Sequence, residues 1–370
     1  MKNLPSYLRD TKHTLQVIEE FNEQIENGTA TLDGVALVSL DIVNMYPNMS
    51  EDIGIEACKD FLEARDFSNL PEELKVKTES ILEALNICIK NNYFKFDDQV
   101  YRVKEGVGIG QKVAPPYACL GVGKFESLAF TSDFDMLQYI VLWKRFIDDI
   151  FMLFKGTEQQ CKCLVDWLNS LLPGVVKFTY QYSMEKVEFL DLEILKQNGK
   201  LVTNLYIKPN NQQIYLDFES NHPQPCKESI AYGQALRIIE RCSFESDRDS
   251  HLSKLSKNLV DRNYPKNVIE KQFLKAKSKS RTQLLNQRRV YRGGNKKVRL
   301  IFTHNNNGPP LHQWVRESKK LLVRNHIAKE IGDKIQISFR QTKNLKSMLT
   351  GQDKTHKTEI VQNPGCFKCH

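Results

Sequence analysis

Trp143-Lys144-Arg145-Phe146-Ile147-Asp148-Asp149-Ile150-Phe151-Met152-Leu153-Phe154 is the stretch on which the reading of the chain turns. Two apolar, β-prone runs flank an adjacent pair of acids, which predicts a hairpin with Asp148 and Asp149 at its turn. Asp is a good turn former on its own account. Here the flanking runs are apolar on both faces, so the hairpin is expected to be buried on both sides. Two carboxylates in such a place repel each other and lose hydration unless a cation lies between them. A divalent metal supplies that charge directly, and a hard ion such as Mg²⁺ asks for further oxygen ligands from elsewhere in the fold.

Ala36-Leu37-Val38-Ser39-Leu40-Asp41 offers such a ligand, an apolar run that ends in an acid and leads into Ile42-Val43-Asn44-Met45-Tyr46-Pro47. A strand-end turn residue would account for Asp41 alone; Asp41 together with Asp148 and Asp149 is a sharper pattern. Tyr93-Phe94-Lys95-Phe96 and Val100-Tyr101-Arg102-Val103 bracket a second acid pair at Asp97 and Asp98. Those strands alternate polar with apolar, their turn can face water, and no metal is assigned there.

The chain has 370 residues, enough for two or three domains with a substantial core. Its net charge of +8 hides a split, since residues 1–200 carry −10 and residues 201–370 carry +18. That asymmetry predicts an acidic, metal-binding part joined to a part that grips a polyanion. The nine cysteines lack the dense, even spacing of a disulfide scaffold, which favours a reducing compartment. No apolar run approaches the length of a bilayer span, so an intracellular protein without a membrane partner is expected.

In chain order, helical spacing covers residues 4–27, a second helix begins after the N-cap candidate Ser50, and a third is expected to open at Pro71-Glu72-Glu73. Gly106-Val107-Gly108-Ile109-Gly110-Gln111-Lys112-Val113-Ala114-Pro115-Pro116 is a glycine-rich stretch opening a helix that runs to about Phe130. It lacks the Gly-Lys-Ser/Thr ending of a phosphate-binding P-loop, and an ordinary flexible connection is the plain alternative. Residues 157–172 read as an amphipathic helix and 175–182 as a strand. Strand, helix, hairpin, helix, strand is a split β-α-β arrangement, which predicts an α+β fold whose antiparallel sheet brings the acids of neighbouring strands side by side. A polymerase palm is built in this way.

On these residues the chain resembles a reverse transcriptase of the Penelope-like retroelement family. Ser39-Leu40-Asp41-Ile42-Val43-Asn44-Met45-Tyr46-Pro47 matches motif A, Gly110-Gln111-Lys112-Val113-Ala114-Pro115-Pro116-Tyr117-Ala118 motif B, and Arg145-Phe146-Ile147-Asp148-Asp149 motif C. Glu188-Phe189-Leu190-Asp191-Leu192-Glu193-Ile194 extends the match, as does the thumb-like run from Tyr206-Ile207-Lys208-Pro209 through His222-Pro223 to Arg241-Cys242-Ser243, and that last run singles out this family. The resemblance implies an RNA-directed DNA polymerase of a retroelement, acting in the nucleus on an RNA template, a DNA primer and deoxynucleoside triphosphates. It implies two Mg²⁺ ions, or Mn²⁺ in their place, on Asp41, Asp148 and Asp149. It further places Tyr46 against a ribose 2′-hydroxyl, and Gly110, Gln111 and Pro115 at the nucleotide and template base.

The chain departs from that pattern at Ile109, where many reverse transcriptases have Gln, and at Ala231, where a Pro is common. No finger segment with triphosphate-binding Lys and Arg precedes motif A, and the family's GIY-YIG endonuclease does not follow, so a fragment or a degenerate copy is expected. A catalytically inactive, nucleic-acid-binding remnant is the alternative reading; a two-metal nuclease ranks last, given the glycine-rich loop. The expected organisation is an N-terminal helical segment over 1–35, a palm over 36–205, a thumb-like helical region over 206–290 and a basic linker or C-terminal region over 291–370.

From Lys271 to Arg316 there are twelve Lys or Arg and no acid. This density predicts contacts of Lys271, Lys275, Lys277, Lys279, Arg281, Arg288, Arg289 and Arg292 with a nucleic-acid backbone, against the alternative of a solvated basic linker. Cys366, Cys369 and His370 read as half of a zinc site whose other ligands would lie beyond the chain; these three alone are not expected to hold zinc stably.

Overall fold

Strand β1 (Ala36–Ile42) is flanked on both sides, by β5 (Asp149–Phe154) and by β6 (Phe178–Ser183), while β4 (Ile140–Phe146) lies outside β5. Every pair in the order β4-β5-β1-β6 is antiparallel. The computed structural model describes residues 6–64, 76–286, 298–303, 311–323 and 335–340. Between β1 and β4 the chain forms α2 (Met45–Asn48), α3 (Glu51–Glu63), α4 (Thr78–Lys90), the hairpin β2 (Tyr93–Phe96) and β3 (Gln99–Arg102), and α5 (Ala114–Phe130); α6 (Glu158–Leu171) joins β5 to β6. This is the split β-α-β order of a polymerase palm, in an α+β fold.

The sheet is a middle layer because its two central strands are apolar on both faces. Val38 and Leu40 of β1 with Ile150, Met152 and Phe154 of β5 pack against α5 and α6 through Tyr117, Val122, Phe125, Leu164 and Leu168. The alternate residues Leu37, Phe151 and Leu153 face the other way, onto Leu15, Ile18 and Phe21 of α1 (Thr11–Glu26) and onto Val187, Phe189 and Ile194. Each such side chain, fully buried, contributes on the order of 1.5–3 kcal/mol. Those last three belong to a second antiparallel sheet, the meander β7 (Lys186–Phe189), β8 (Leu192–Gln197) and β9 (Lys200–Leu205).

Local signals set the helix starts. Asp10 caps α1 by accepting from the His13 amide, so that helix begins at Thr11 rather than at residue 4. Ser50 caps α3 with Glu51 and Asp52 in its first turn, and Thr157 with Gln160 forms a capping box on α6. Pro71, Glu72 and Glu73 lie outside the described residues; α4 begins at Thr78. The β2–β3 turn places Asp97 and Asp98 at φ of 47° and 60°, the two left-handed positions of a tight hairpin, with every residue of both strands exposed.

The chain divides into two compact units. The first, Met1–Gln212 with Leu236–Lys254 and Lys279–Asn286, holds both sheets. It also takes in the C-terminal part of α7 (Gln224–Arg241), most of the way along α8 (Glu245–Val260), and α10 (Arg281–Asn286). The second is Gln213–Ala235, Leu255–Ser278 and Gln287–His370, and includes α9 (Lys266–Lys277). Within it the Phe218 and Tyr264 rings pack at 4.9 Å, and Lys227 donates to the Phe218 carbonyl at 2.8 Å. In the stretch 291–370, read from sequence as a linker, β10 (Val298–Thr303) pairs in parallel with β11 (Ile335–Arg340), and α11 (Leu311–Val323) lies between them in sequence. Val298-Arg299-Leu300-Ile301-Phe302-Thr303 is rich enough in β-branched and aromatic residues to form a strand despite its basic surroundings.

Candidate active site

The antiparallel register sets Asp41 of β1 directly across from Asp149 of β5, and the Ile42 amide donates to the Asp148 carbonyl at 3.2 Å. Phe146 pairs with Asp149, so Ile147 and Asp148 form the two-residue turn and Asp149 is the first residue of the strand rather than part of the turn. Ile147 sits at φ 57°, in a left-handed conformation that a β-branched residue rarely adopts. The three acids predicted to meet are therefore neighbours at one corner of the sheet.

Their electrostatics follow from that crowding. Burial, then the charges of Asp148 and Asp41, push the Asp149 carboxyl up to about 6. Burial and Asp148 raise the Asp41 carboxyl as well, while Lys208 acts in the opposite direction on both acids. Lys208 belongs to the Tyr-Ile-Lys-Pro run and had no role assigned from sequence; an isolated Lys just after the last strand of a meander carries no signal of where it points.

Among the described residues no group of three His, Cys, Asp or Glu side chains is arranged to hold a metal ion as it stands. The donors at this corner are nonetheless carboxylate oxygens of like charge, partly stripped of water, which is the chemistry a hard divalent cation relieves. Mg²⁺ ordinarily takes one or two protein carboxylates and completes its shell with water and substrate phosphate, so a closed protein cage is not required of Asp41, Asp148 and Asp149.

The exit of β1 leads to Tyr46 at the start of α2, where the glycine-rich loop comes to meet it. The Val107 amide donates to the Tyr46 carbonyl at 2.9 Å, and Gly106, at φ 75°, leaves no room for a Cβ against the Pro47 backbone. Farther along, Gly110 has φ 104° with open space around it, the Gln111 amide donates to Gly108 at 3.2 Å, and Pro115 lies exposed in the first turn of α5. The Gln111 side-chain oxygen is buried without a partner, as is the Asn92 amide nitrogen beneath Gly108. The structure thus joins Tyr46 to the loop at its Val107 end.

The predicted nucleic-acid contacts divide. Lys271, Lys275 and Lys277 are exposed on α9, with Lys275 over the Tyr232 ring at 4.7 Å, and Lys279 is half-buried after it. Arg281 is committed to internal partners: it pairs with Glu19 at 2.5 Å and donates to the Glu240 carbonyl at 3.0 Å. Arg288, Arg289, Arg292, Cys366, Cys369 and His370 lie outside the described residues.

The animal helix-turn-helix domain family matches residues 214–274, the stretch of α7, α8 and α9. No curated protein matches the chain. Similar solved structures include telomerase from Candida albicans in complex with a fragment of telomeric RNA, at 12% identity and a TM-score of 0.49 over 90% of this chain and 55% of that one. Apo telomerase from Candida tropicalis, truncated from the C-terminal domain, has 16% identity and a TM-score of 0.43 over 53% of this chain and 40% of that one. The RNA-dependent RNA polymerase of a human picobirnavirus has 13% identity and a TM-score of 0.44 over 70% and 49% of the two chains. The chain spans 40% to 55% of the length of these two telomerase chains. No helix among the described residues is long and apolar enough to cross a membrane.

Proposed function

We propose that the chain is an RNA-directed DNA polymerase of a Penelope-like retroelement, extending a primer 3′-hydroxyl with deoxynucleotides on an RNA template, and that it works in the nucleus. The observation that carries this reading is the placing of Asp41 across from Asp149, with Asp148 on the adjoining turn. Asp41 and Asp148 are the principal ligands of two Mg²⁺ ions in this proposal, and Asp149 assists them. When bound, the ions supply a lowered pKa for the attacking hydroxyl and neutralise charge on the pyrophosphate leaving group.

The remaining work falls to the protein. Tyr46, held at the β1 exit by its contact with the glycine-rich loop, stands against the ribose 2′ position and selects deoxynucleotides. The loop itself, with side chains absent at Gly108 and Gly110, lets backbone approach the base pair being formed. Lys208 offsets part of the repulsion among the acids. Exposed Lys271, Lys275 and Lys277 on α9 contact phosphates of the template–primer duplex.

Primer extension on an RNA template in Mg²⁺ tests the reading. Asp148→Asn is expected to reduce extension at least a hundredfold, and unchanged activity in that variant would overturn the metal assignment. Salt-sensitive binding of nucleic acid by the wild type without any extension would identify an inactive remnant instead.

A further inference from the structure

Among the described residues no fully buried side chain is larger than Arg145, three positions before Asp148 on the same hairpin. Its counter-ion is Glu126 on α5, with Arg145 Nε 2.8 Å from Glu126 Oε1 and Nη2 3.1 Å from Oε2. The carboxylate is saturated from two other directions, by Trp143 Nε1 at 2.8 Å and by Ser6 Oγ at 2.6 Å. The guanidinium also donates to two backbone carbonyls: Nη1 reaches Ile147 at 2.9 Å and Nη2 reaches Cys119 at 3.3 Å. Its own backbone is also fixed, the amide donating to Ser6 at 2.7 Å and the carbonyl accepting from Leu8 at 2.6 Å.

A buried ion pair is an expensive way to fill a core, since well-packed apolar residues generally hold a fold as well. An apolar pair lacks one ability that this arrangement has, which is to donate to the carbonyl of Ile147. That carbonyl belongs to the left-handed residue of the turn, whose backbone direction decides where Asp148 and Asp149 point. Cys119 and Glu126 both lie on α5, the helix that opens where the glycine-rich loop ends. One guanidinium therefore ties the acid-bearing turn to the helix behind the loop.

We infer that Arg145, clamped by Glu126, is a positioning residue that sets the Asp148–Asp149 turn through the Ile147 carbonyl. The inference rests on the polymerase reading for what the acids do, and on geometry alone for how they are held. Lys at this position keeps the charge but replaces a planar fork with a single point of donation, which cannot serve the carboxylate and both carbonyls together.

The test compares full-length wild type with Arg145→Lys and with the apolar pair Arg145→Met/Glu126→Leu. Thermal unfolding reports whether each folds, amide hydrogen exchange reads the turn at 147–149, and the electron paramagnetic resonance signal of free Mn²⁺ reads metal affinity. Arg145→Lys is expected to stay folded, to exchange the turn amides at least tenfold faster, and to bind Mn²⁺ about tenfold more weakly, the usual cost of losing an outer-shell support. In primer extension kcat falls while KM for the deoxynucleotide stays within about twofold, as for a group that orders the reacting centre without touching the substrate. The apolar pair, which packs without reaching the carbonyl, is expected to show the same loosened turn and serves alone should Arg145→Lys fail to fold. Wild-type turn exchange and Mn²⁺ affinity in either folded variant would overturn the inference. A wild type that neither binds Mn²⁺ nor extends a primer counts against the polymerase reading only; turn exchange then still decides the role of Arg145.

Discussion

Replacing Gly106 by alanine separates two effects that coincide where the glycine-rich loop meets the β1 exit. Gly106 has φ 75°, and an added Cβ would run into the carbonyl group and Cα of Pro47, which are backbone atoms. The left-handed conformation alone costs an alanine roughly 1–2 kcal/mol. Backbone cannot swing aside as a side chain does, so overpacking adds roughly 1–3 kcal/mol. Gly106→Ala should therefore destabilise by about 2–5 kcal/mol. Gly28 is the control, since it has nearly the same φ of 72° with nothing within 4 Å of the added Cβ. Gly28→Ala should cost only the roughly 1–2 kcal/mol of the conformational part. Urea unfolding of the full chain, followed by the fluorescence of buried Trp143, measures both as midpoint shifts at constant slope. The Val107 amide donates to the Tyr46 carbonyl one residue beyond Gly106, so its displacement moves Tyr46 too. Gly106→Ala is accordingly expected to relax discrimination against ribonucleotides, and Gly28→Ala to leave it unchanged. Equal losses of stability in the two variants would refute the steric argument.

Tyr46→Ala should admit ribonucleotides into an enzyme that still extends with deoxynucleotides; a variant as selective as wild type removes Tyr46 from the nucleotide site. Burial raises the Asp191 carboxyl, but Arg241 at 2.5 Å and Arg237 at 2.8 Å outweigh it and hold the group below its ordinary value. A carboxyl depressed by folding stabilises above its unfolded pKa of about 3.9 and loses that contribution as pH falls through the folded value. Asp191→Asn should thus cost about 1–3 kcal/mol at neutral pH and flatten the acid limb of the stability profile below about pH 4, as urea titrations across pH would show. If about six phosphates are neutralised, affinity for an RNA–DNA duplex should fall about a thousandfold between roughly 50 and 200 mM salt. Exchanging Lys271, Lys275 and Lys277 for Gln together should lower the slope of that dependence by about 3, and an unchanged slope would take α9 out of the interface.

The sheet was readable because its central strands break the usual alternation. Runs such as Ile150-Phe151-Met152-Leu153-Phe154 have no polar face, and only a strand covered on both sides tolerates that. An acid at the end of each of two such strands then stands out, which is why the adjacency of Asp41 and Asp149 could be expected from residue types alone. Arg145 and Glu126 were not, because the pair spans 19 residues and each charge, met singly, looks like an exposed position on an amphipathic strand or helix. Lys208 escaped for the same reason. The Glu19 partner of Arg281 was equally hidden, since local charge density does not tell an arginine that faces a polyanion from one paired within the fold. Long-range ion pairs leave no periodic trace, and periodicity is what a single sequence offers.

Several departures from local preference in the first unit fall on the residues of the proposed site and the loop beside it, with Leu190 at φ 57° in the β7–β8 turn another such position. Ile147 adopts a glycine-like conformation, Asp149 is half-buried across from Asp41, Gly106 is pressed on the Pro47 backbone, and Gln111 keeps a buried oxygen without a partner. Ile147, Asp149 and Gln111 each oppose folding, whereas the caps of α1, α3 and α6 follow the rules that local physics sets. Strain of this kind persists only where the surroundings over-determine it. Here the surroundings are identifiable: the Arg145–Glu126 pair behind the turn, and the β1–β5 ladder whose register sets Asp41 across from Asp149. Backbone that local preference would not build, held by a buried network that costs desolvation to form, is where a site shaped by chemistry is to be sought, and the Arg145 variants put that to the test here.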